Sequence, residues 1–273
     1  MKEKWVYVNG SFLKEKDAFI PITDRGFLFG EGLFTTIRVD GGKPEFLEAH
    51  LRRLRLQAEA LYFHVDPFTF DFLAELINRN LAFQGLWRLK IIITVKGGSE
   101  VKEMGALVAT IEPFQDLSFH PSKLTLFPHP IESPLSHIKS LAYLDHLYLK
   151  EWAKKRGYTD AIAQTRDGLI LETGSSNLFW IDKGKCWIPD TLLPYLKGVF
   201  LQSLLPHLTW PIEMARIRID QLSARASVYM CNALTHVRPV MSIDQMQFHR
   251  CQETDHQLHK AIVRSLDIMK LSH

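Results

Sequence analysis

A chain of 273 residues is long enough for two domains, or one large mixed unit, with a sizeable core. Hydrophobic residues make up 46% of it and charged residues 23%, and 33 Lys+Arg against 30 Asp+Glu leave a net charge of +3. That balance excludes the strongly basic character of a nucleic-acid or membrane-surface protein, and no apolar run approaches the roughly 18–20 residues of a membrane-spanning helix. The start, Met1-Lys2-Glu3-Lys4-Trp5, is not followed by an apolar run, so no secretory signal is expected. Cys186, Cys231 and Cys251 are odd in number and lack metal-ligand spacing, which predicts a reducing, cytoplasmic setting.

Trp5 to Asn9 reads as a strand that turns at Asn9-Gly10, with Ser11-Phe12-Leu13 returning as its partner. Gly26, Gly30 and Gly32 are interleaved with Phe27, Leu28 and Phe29, which predicts a tight loop beside a packed surface. No Gly-Lys-Ser/Thr follows, so this is not a phosphate-binding loop of the nucleotide type. Thr35 to Val39 is β-rich and closes at Asp40-Gly41-Gly42. Phe46 to Phe63 predicts an amphipathic helix, with Leu47, Leu51, Leu54, Ala58 and Leu61 on one face. Arg52 and Arg55 fall on its solvated side. Arg53 flanks the apolar stripe and can reach inward, where its planar fork suits a phosphate. A second helix over Phe68–Asn80, a strand over Leu86–Val95 turned by Lys96-Gly97-Gly98, and a partner strand over Ala106–Ile111 complete a small α+β domain, residues 1–117.

Pro113 to Pro121 reads as a linker, and residues 118–273 as a larger α/β domain. Its predicted elements are a strand at Lys123–Phe127, a helix from Leu141 to Arg156 stopped by Gly157, and a hairpin of Ala161–Thr165 and Leu169–Leu171. A second hairpin pairs Asn177–Ile181 with Cys186–Ile188. Further on come a short helix at Gly198–Leu205, whose N-terminus is a candidate phosphate seat, and strands at Arg216–Ile219, Val228–Met230 and Val237–Ile243. A turn at Cys231-Asn232-Ala233-Leu234 and a terminal amphipathic helix over Glu253–Met269 finish the chain.

Two residues carry candidate chemistry. Lys139 lies after a Pro-rich turn (Pro128, Pro130, Pro134) and just before the helix, a junction from which a lysine can point into a cleft. Glu172 comes 33 residues later, at the end of a short strand and before Gly174-Ser175-Ser176. Each alone reads equally as a solvated surface charge. Together they read as one site: an amine that forms an imine with an aldehyde cofactor, and a carboxylate that keeps a pyridine nitrogen protonated.

Taken in order, these motifs resemble those of the fold-type IV enzymes dependent on pyridoxal 5'-phosphate (PLP), the class IV aminotransferase group. The resemblance is carried by Asp24-Arg25-Gly26 with Phe29-Gly30-Glu31-Gly32, by His50-Leu51-x-Arg53-Leu54, by Lys139, by the Glu172 loop and by the Asn232 turn. It implies two domains with the cofactor cleft between them, and a homodimer. It implies Lys139 as Schiff-base lysine and general base, Glu172 at the pyridine nitrogen and Arg53 at the phosphate. Lys197, with backbone amides at Gly198, Asn232 and Ala233, would complete the phosphate cup. Tyr143 stands where some members place an aromatic residue near the cofactor hydroxyl, and it reads equally as a helix residue packed on the core.

Finer details resemble the 4-amino-4-deoxychorismate lyases within that group. Phe34-Thr35-Thr36-Ile37-Arg38 is of their kind, whereas many aminotransferases carry glutamate where Thr35 stands, and Cys231-Asn232-Ala233-Leu234 is also lyase-like. This implies a small-molecule substrate, 4-amino-4-deoxychorismate, cleaved to 4-aminobenzoate and pyruvate on the route to folate. Thr36 or Thr35 would deliver a proton or orient the leaving group, and both read equally as ordinary β-formers. Arg25 and Arg38 would meet the substrate carboxylates, and Lys96 stands in the loop that often helps to do so. The chain departs from the pattern at Tyr195-Leu196-Lys197-Gly198, where aminotransferases carry Gly-Ile/Val-Thr-Arg, at Ala233, which has no hydroxyl, and at Ala142, which replaces a frequent asparagine. Two alternatives stand beside the lyase: an aminotransferase acting on branched-chain or D-amino acids, and a scaffold that binds a ligand without catalysis.

Overall fold

A computed structural model describes residues 3–65, 72–96 and 103–271. The first residues of the second predicted helix and the Gly97-Gly98 turn lie outside the described residues. The chain separates into two compact units, Met1–Asp116 with Ile138–Tyr143, and Leu117–His137 with Leu144–His273.

The first unit opens with β1 (Trp5–Val8) and β2 (Ser11–Lys14), joined through Asn9 and Gly10, both at positive φ. The Gly-rich segment contains a short helix, α1 (Arg25–Phe29), where sequence reading expects only a loop. Asp24 explains the difference. Its side chain accepts the Phe27 N–H at 3.1 Å and the Thr94 hydroxyl at 2.5 Å, which caps the helix and ties it down, while Gly30 ends it at φ 67°. Then follow β3 (Gly32–Asp40), β4 (Lys43–Pro44), α2 (Leu47–Ala60), α3 (Phe72–Arg79), β5 (Leu86–Val95) and β6 (Met104–Pro113). The strands form a six-stranded sheet in the order β2-β1-β6-β5-β3-β4, antiparallel throughout.

Strand alternation decides which residues are available for chemistry. Leu33, Ile37 and Val39 of β3, Leu89, Ile91 and Ile93 of β5, and Leu107, Ala109 and Ile111 of β6 share one buried cluster with Leu51 and Leu54 of α2 and Leu73 and Leu76 of α3. Phe34, Thr36 and Arg38 of β3 and Arg88, Lys90 and Ile92 of β5 therefore belong to the other face. Residues 138–141 extend this sheet beside β3: the Phe34 N–H donates to Lys139 O at 3.0 Å and the Leu141 N–H to Gly32 O at 2.9 Å.

The second unit contains β7 (Ser122–Leu126), α4 (Leu144–Lys154), β8 (Asp160–Gln164), β9 (Ile170–Thr173), β10 (Asn177–Asp182), β11 (Lys185–Pro189), α5 (Val199–Leu204), β12 (Ile212–Ala215), β13 (Ser227–Asn232), β14 (His236–Ile243), β15 (Met246–Gln247) and α6 (Gln252–Leu271). Its mixed sheet runs β12-β11-β10-β13-β14-β7-β8-β9, with β15 on β14. Two expectations shift. The helix begins at Leu144, not Leu141, because Ser140 and Leu141 are held in extended pairing with β3. The strand expected at Arg216–Ile219 is instead β12, where Ile212–Ala215 pairs in parallel with β11; Arg218 makes only an isolated bridge to Leu169. α4 covers β8 and β9 through Leu149 and Ala153, which pack with Ala161, Ala163 and Leu171.

Candidate active site

Lys139 is fixed at the backbone before its side chain does anything. Its carbonyl accepts from Phe34 and its N–H donates to Gln57 Oε1 of α2 at 3.1 Å. The side chain then runs over Phe34, with Nζ 4.5 Å from the ring centre, and reaches Tyr143, whose hydroxyl oxygen accepts at 3.4 Å. Phe34 and Tyr143 meet edge to face at 5.0 Å, so the amine rests in a small aromatic corner. Lys90, which stands opposite Thr36 in the β3–β5 register, approaches the same Phe34 ring at 5.3 Å. Burial, then the neighbouring Arg88 charge, lower its pKa, the Glu112 carboxylate offsets part of this, and no carboxylate lies within ion-pair distance of it among the described residues.

Arg53, from α2, turns inward to the buried side of β3. One guanidinium nitrogen donates to Thr35 Oγ1 at 3.0 Å, and Thr35 Oγ1 lies 2.7 Å from His50 Nδ1. Arg53 Nε is buried and has no hydrogen-bond partner among the described residues. Burial lowers the Arg53 pKa to about 10, and the Tyr143 hydroxyl offsets part of this. Burial, then the charges of Arg53 and Lys139, push the His50 pKa well below its ordinary value. A partly buried guanidinium held by one neutral acceptor keeps its charge available to an anion.

In the second unit, Glu172 sits near the end of β9 and is 8% exposed. Its position follows from Asp160, a fully buried carboxylate that accepts from Ala161 N, Gly174 N, Thr173 Oγ1 and Ser175 Oγ, and so pins the loop after β9. Glu172 Oε1 accepts the Leu196 N–H at 2.9 Å and has His146 Nε2 at 3.6 Å, while Oε2 takes the Asn177 amide at 3.4 Å. A small open pocket lined by Glu172, His146, Asp145, Ser136 and Pro194 among others adjoins it.

The remaining sequence-derived candidates are placed as follows. Arg25 pairs with Glu31, Lys96 with Glu103 at 3.2 Å, and Arg38 with Asp116 at 3.1 Å and Glu45 at 3.4 Å. Arg38 and Glu45 are both deeply buried, so this pair belongs to the packing of β3. Thr35 is fully buried on the helix-facing side, whereas Thr36 shares its face with Phe34 and Lys90. Lys197 is exposed. The Gly198 N–H is already given to Asn177 Oδ1 at 3.0 Å, and a Cβ at 198 would fall 2.1 Å from that oxygen. Asn232 Oδ1 accepts from Leu234 N, Thr235 N and Thr235 Oγ1, and Asn232 Nδ2 donates to Ser175 O and Ser176 Oγ; its side chain is thus occupied in holding the turn that carries Ala233.

Sequence reasoning assigned no role at the site to Phe34, Gln57, Lys90, His146 or Asn177, although Phe34 stood in a quoted motif. His50 was visible only as part of a motif, although its i, i+3 spacing to Arg53 puts both on one helix side. Lys90 needed the β3–β5 register, which no local pattern supplies.

The fold is shared with solved aminotransferases. The branched-chain aminotransferase of Thermoproteus uzoniensis superimposes with a TM-score of 0.86 at 18% identity, covering 97% of this chain and 95% of that one. The family model described as amino-transferase class IV matches residues 32–243, and the chain belongs to that family. It is therefore an enzyme of the PLP-dependent class. Among curated proteins it is similar to the aminodeoxychorismate lyase of Bacillus subtilis, 24% identical over 259 residues that span 89% of this chain and 88% of the relative. It is likewise similar to the D-alanine aminotransferase of Staphylococcus epidermidis, 25% identical over 254 residues spanning 88% and 89%. Among the described residues no helix is long and apolar enough to cross a membrane. Taken unit by unit, the residues suit parts of the family's cofactor: in the first unit the under-satisfied Arg53 guanidinium suits a phosphate, and in the second the buried Glu172 carboxylate suits a protonated ring nitrogen.

Proposed function

We propose that this enzyme cleaves 4-amino-4-deoxychorismate to 4-aminobenzoate and pyruvate. The observation that carries the reading is the pairing of two amines on one aromatic ring. Lys139 is backed by Phe34 and Tyr143, and Lys90 approaches the same Phe34 ring with no carboxylate at ion-pair distance among the described residues. The substrate carries two carboxylates. The other sequence-derived cations, Arg25, Arg38 and Lys96, already hold acids, which makes Lys90 the better partner for one of them.

In this reading Lys139 binds the aldehyde carbon of PLP, Glu172 holds the proton of its ring nitrogen and Arg53 its phosphate. When bound, PLP supplies an electron sink for the carbon that bears the substrate nitrogen. The substrate amine would replace Lys139 on the aldehyde carbon, and the Lys139 amine so freed would take the proton from the carbon that bears the substrate nitrogen. The Thr36 hydroxyl, on the Lys90 face of the sheet, would pass a proton to the departing enolpyruvyl group, and Lys90 would offset its carboxylate. Loss of that group leaves an aromatic ring, which drives the step. The Tyr143 hydroxyl accepts from Lys139 and orients its amine.

The test is formation of 4-aminobenzoate with equal pyruvate from aminodeoxychorismate, with no keto acid added. The similarity to D-alanine aminotransferase favours a second reading. Amine transfer from D-alanine or leucine to a keto acid, without 4-aminobenzoate release, would establish it. Under either reading Lys139→Ala removes the coloured protein-bound cofactor and lowers turnover by at least about 1000-fold; borohydride-sensitive colour retained in that variant refutes the role of Lys139.

We also infer a homodimer. Phe19, Ile22, Phe27 and Phe29 are 80%, 79%, 70% and 65% exposed within one short stretch, more apolar surface than a lone chain ordinarily shows. Light scattering of the purified protein tests it. The free thiols of Cys186, Cys231 and Cys251 suit a cytoplasmic setting.

A further inference from the structure

Arg53, Thr35 and His50 form a closed chain of donors and acceptors whose direction can be worked out. An arginine only donates, so Thr35 Oγ1 is the acceptor of the 3.0 Å bond. The one proton of Thr35 then goes to its other neighbour, His50 Nδ1, at 2.7 Å. Of the two neutral tautomers, the one with Nδ1 unprotonated gives the Thr35 hydrogen an acceptor, and the ring proton is then on Nε2, which is buried and has no hydrogen-bond partner among the described residues. A protonated His50 would leave Thr35 facing two donors with no acceptor for its own hydrogen. His50 is 1% exposed, and the positive charges of Arg53 and Lys139 oppose its protonation. The imidazole is thus held in the state the chain requires.

The result is a guanidinium tethered by one nitrogen, with its remaining donors unmet among the described residues. We propose that Thr35 and His50 are positioning residues, which fix the Arg53 fork so that it receives the phosphate of the cofactor. This rests on the reading of Arg53 as the phosphate ligand. It moves Thr35 from the substrate to the support of the cofactor. It also explains why a threonine and a neutral histidine are buried beneath a strand whose other positions on that face are apolar: they orient a cation without neutralising it, so its charge remains available to a phosphate.

The experiment compares two probes, PLP and pyridoxal, which lacks the phosphate. Dissociation constants for both are measured by absorbance and fluorescence on the full chain and on Arg53→Gln, Thr35→Val, Thr35→Ser, His50→Leu and His50→Asn. Serine keeps the relay hydroxyl, and asparagine keeps an acceptor near the place of Nδ1. Thr35→Val and His50→Leu are expected to weaken PLP by about tenfold or more while leaving pyridoxal within about twofold. Thr35→Ser and His50→Asn should restore PLP binding to within about threefold of the parent. If Arg53→Gln shows the phosphate-selective loss and Thr35→Val and His50→Leu do not, the positioning role is overturned and Arg53 stands alone. Equal weakening of PLP and pyridoxal also overturns it, since it marks a general packing defect. If Arg53→Gln itself loses no preference for PLP over pyridoxal, the phosphate reading of Arg53 fails, and the proposal with it. Should Thr35→Val not fold, the two His50 variants decide the matter by the same ratio.

Discussion

His50→Asn removes a titrating imidazole from beneath β3 while leaving an amide oxygen where Nδ1 accepted the Thr35 hydroxyl. The folded chain holds His50 neutral through burial and the charges of Arg53 and Lys139. In the unfolded chain the same residue regains its ordinary pKa of 6.5. Because the folded value is the lower of the two, the unfolded state binds the extra proton, and folding stability falls as the pH drops below 6.5. The loss has RT ln(1 + 10^(6.5 − pH)) as its upper bound, reached when the folded imidazole stays neutral throughout, using that same ordinary value. This amounts to about 1.4 kcal/mol at about pH 5.5 and about 2 kcal/mol at about pH 5.0. The assay is urea unfolding of cofactor-free parent and variant at about pH 7.5, 5.5 and 5.0. Other groups titrate alike in both proteins, so each protein is compared with its own value at the highest pH. The parent should lose up to about 1.4 kcal/mol more than His50→Asn between the first two conditions. Equal pH dependence in the two would refute the neutral, buried imidazole, and with it the direction assigned to the Thr35 bond.

Three further outcomes follow from the described contacts. Lys90→Met should raise the KM for aminodeoxychorismate about tenfold with little change in the binding of PLP, and Lys90→Arg should recover most of it, as steady-state kinetics and cofactor titration will report. Arg38→Met strands the buried Glu45 carboxylate and should cost about 3–5 kcal/mol in denaturant unfolding, while the KM of the folded fraction stays within about twofold; an intact stability with a raised KM would return Arg38 to the substrate. Gly198→Ala drives a methyl against the Asn177 oxygen at 2.1 Å and should destabilise the chain by about 1–3 kcal/mol, measured by thermal unfolding.

Most elements were legible because they announce themselves locally. The Asn9-Gly10 hairpin, the apolar repeat of α2 and the alternation of β5 each depend on neighbours in sequence. What escaped depends on partners far along the chain. α1 could not be read from its glycines because its cap is completed by Thr94, which lies 70 residues away. The start of α4 was misplaced because Ser140 and Leu141 are captured by β3, and helical propensity at those positions loses to strand pairing. Among the candidate residues, Lys139, Glu172 and Arg53 stood out as charged residues in unusual settings. Lys90 did not, since an alternating charge on a strand looks like any solvated face until the β3–β5 register puts it on Phe34. The arginines and lysine expected at the substrate illustrate the converse: Arg25, Arg38 and Lys96 have the right charge, but each is engaged by an acid that only the folded chain brings to it.

The peptide that carries Lys139 is stitched to Phe34 and Gln57 through its own carbonyl and amide, groups that every non-proline residue possesses. Its placement is consequently indifferent to the side chain mounted there. Residue exchange at this position alters reactivity while leaving the mounting intact, so the position serves as an interchangeable fitting on a fixed bracket.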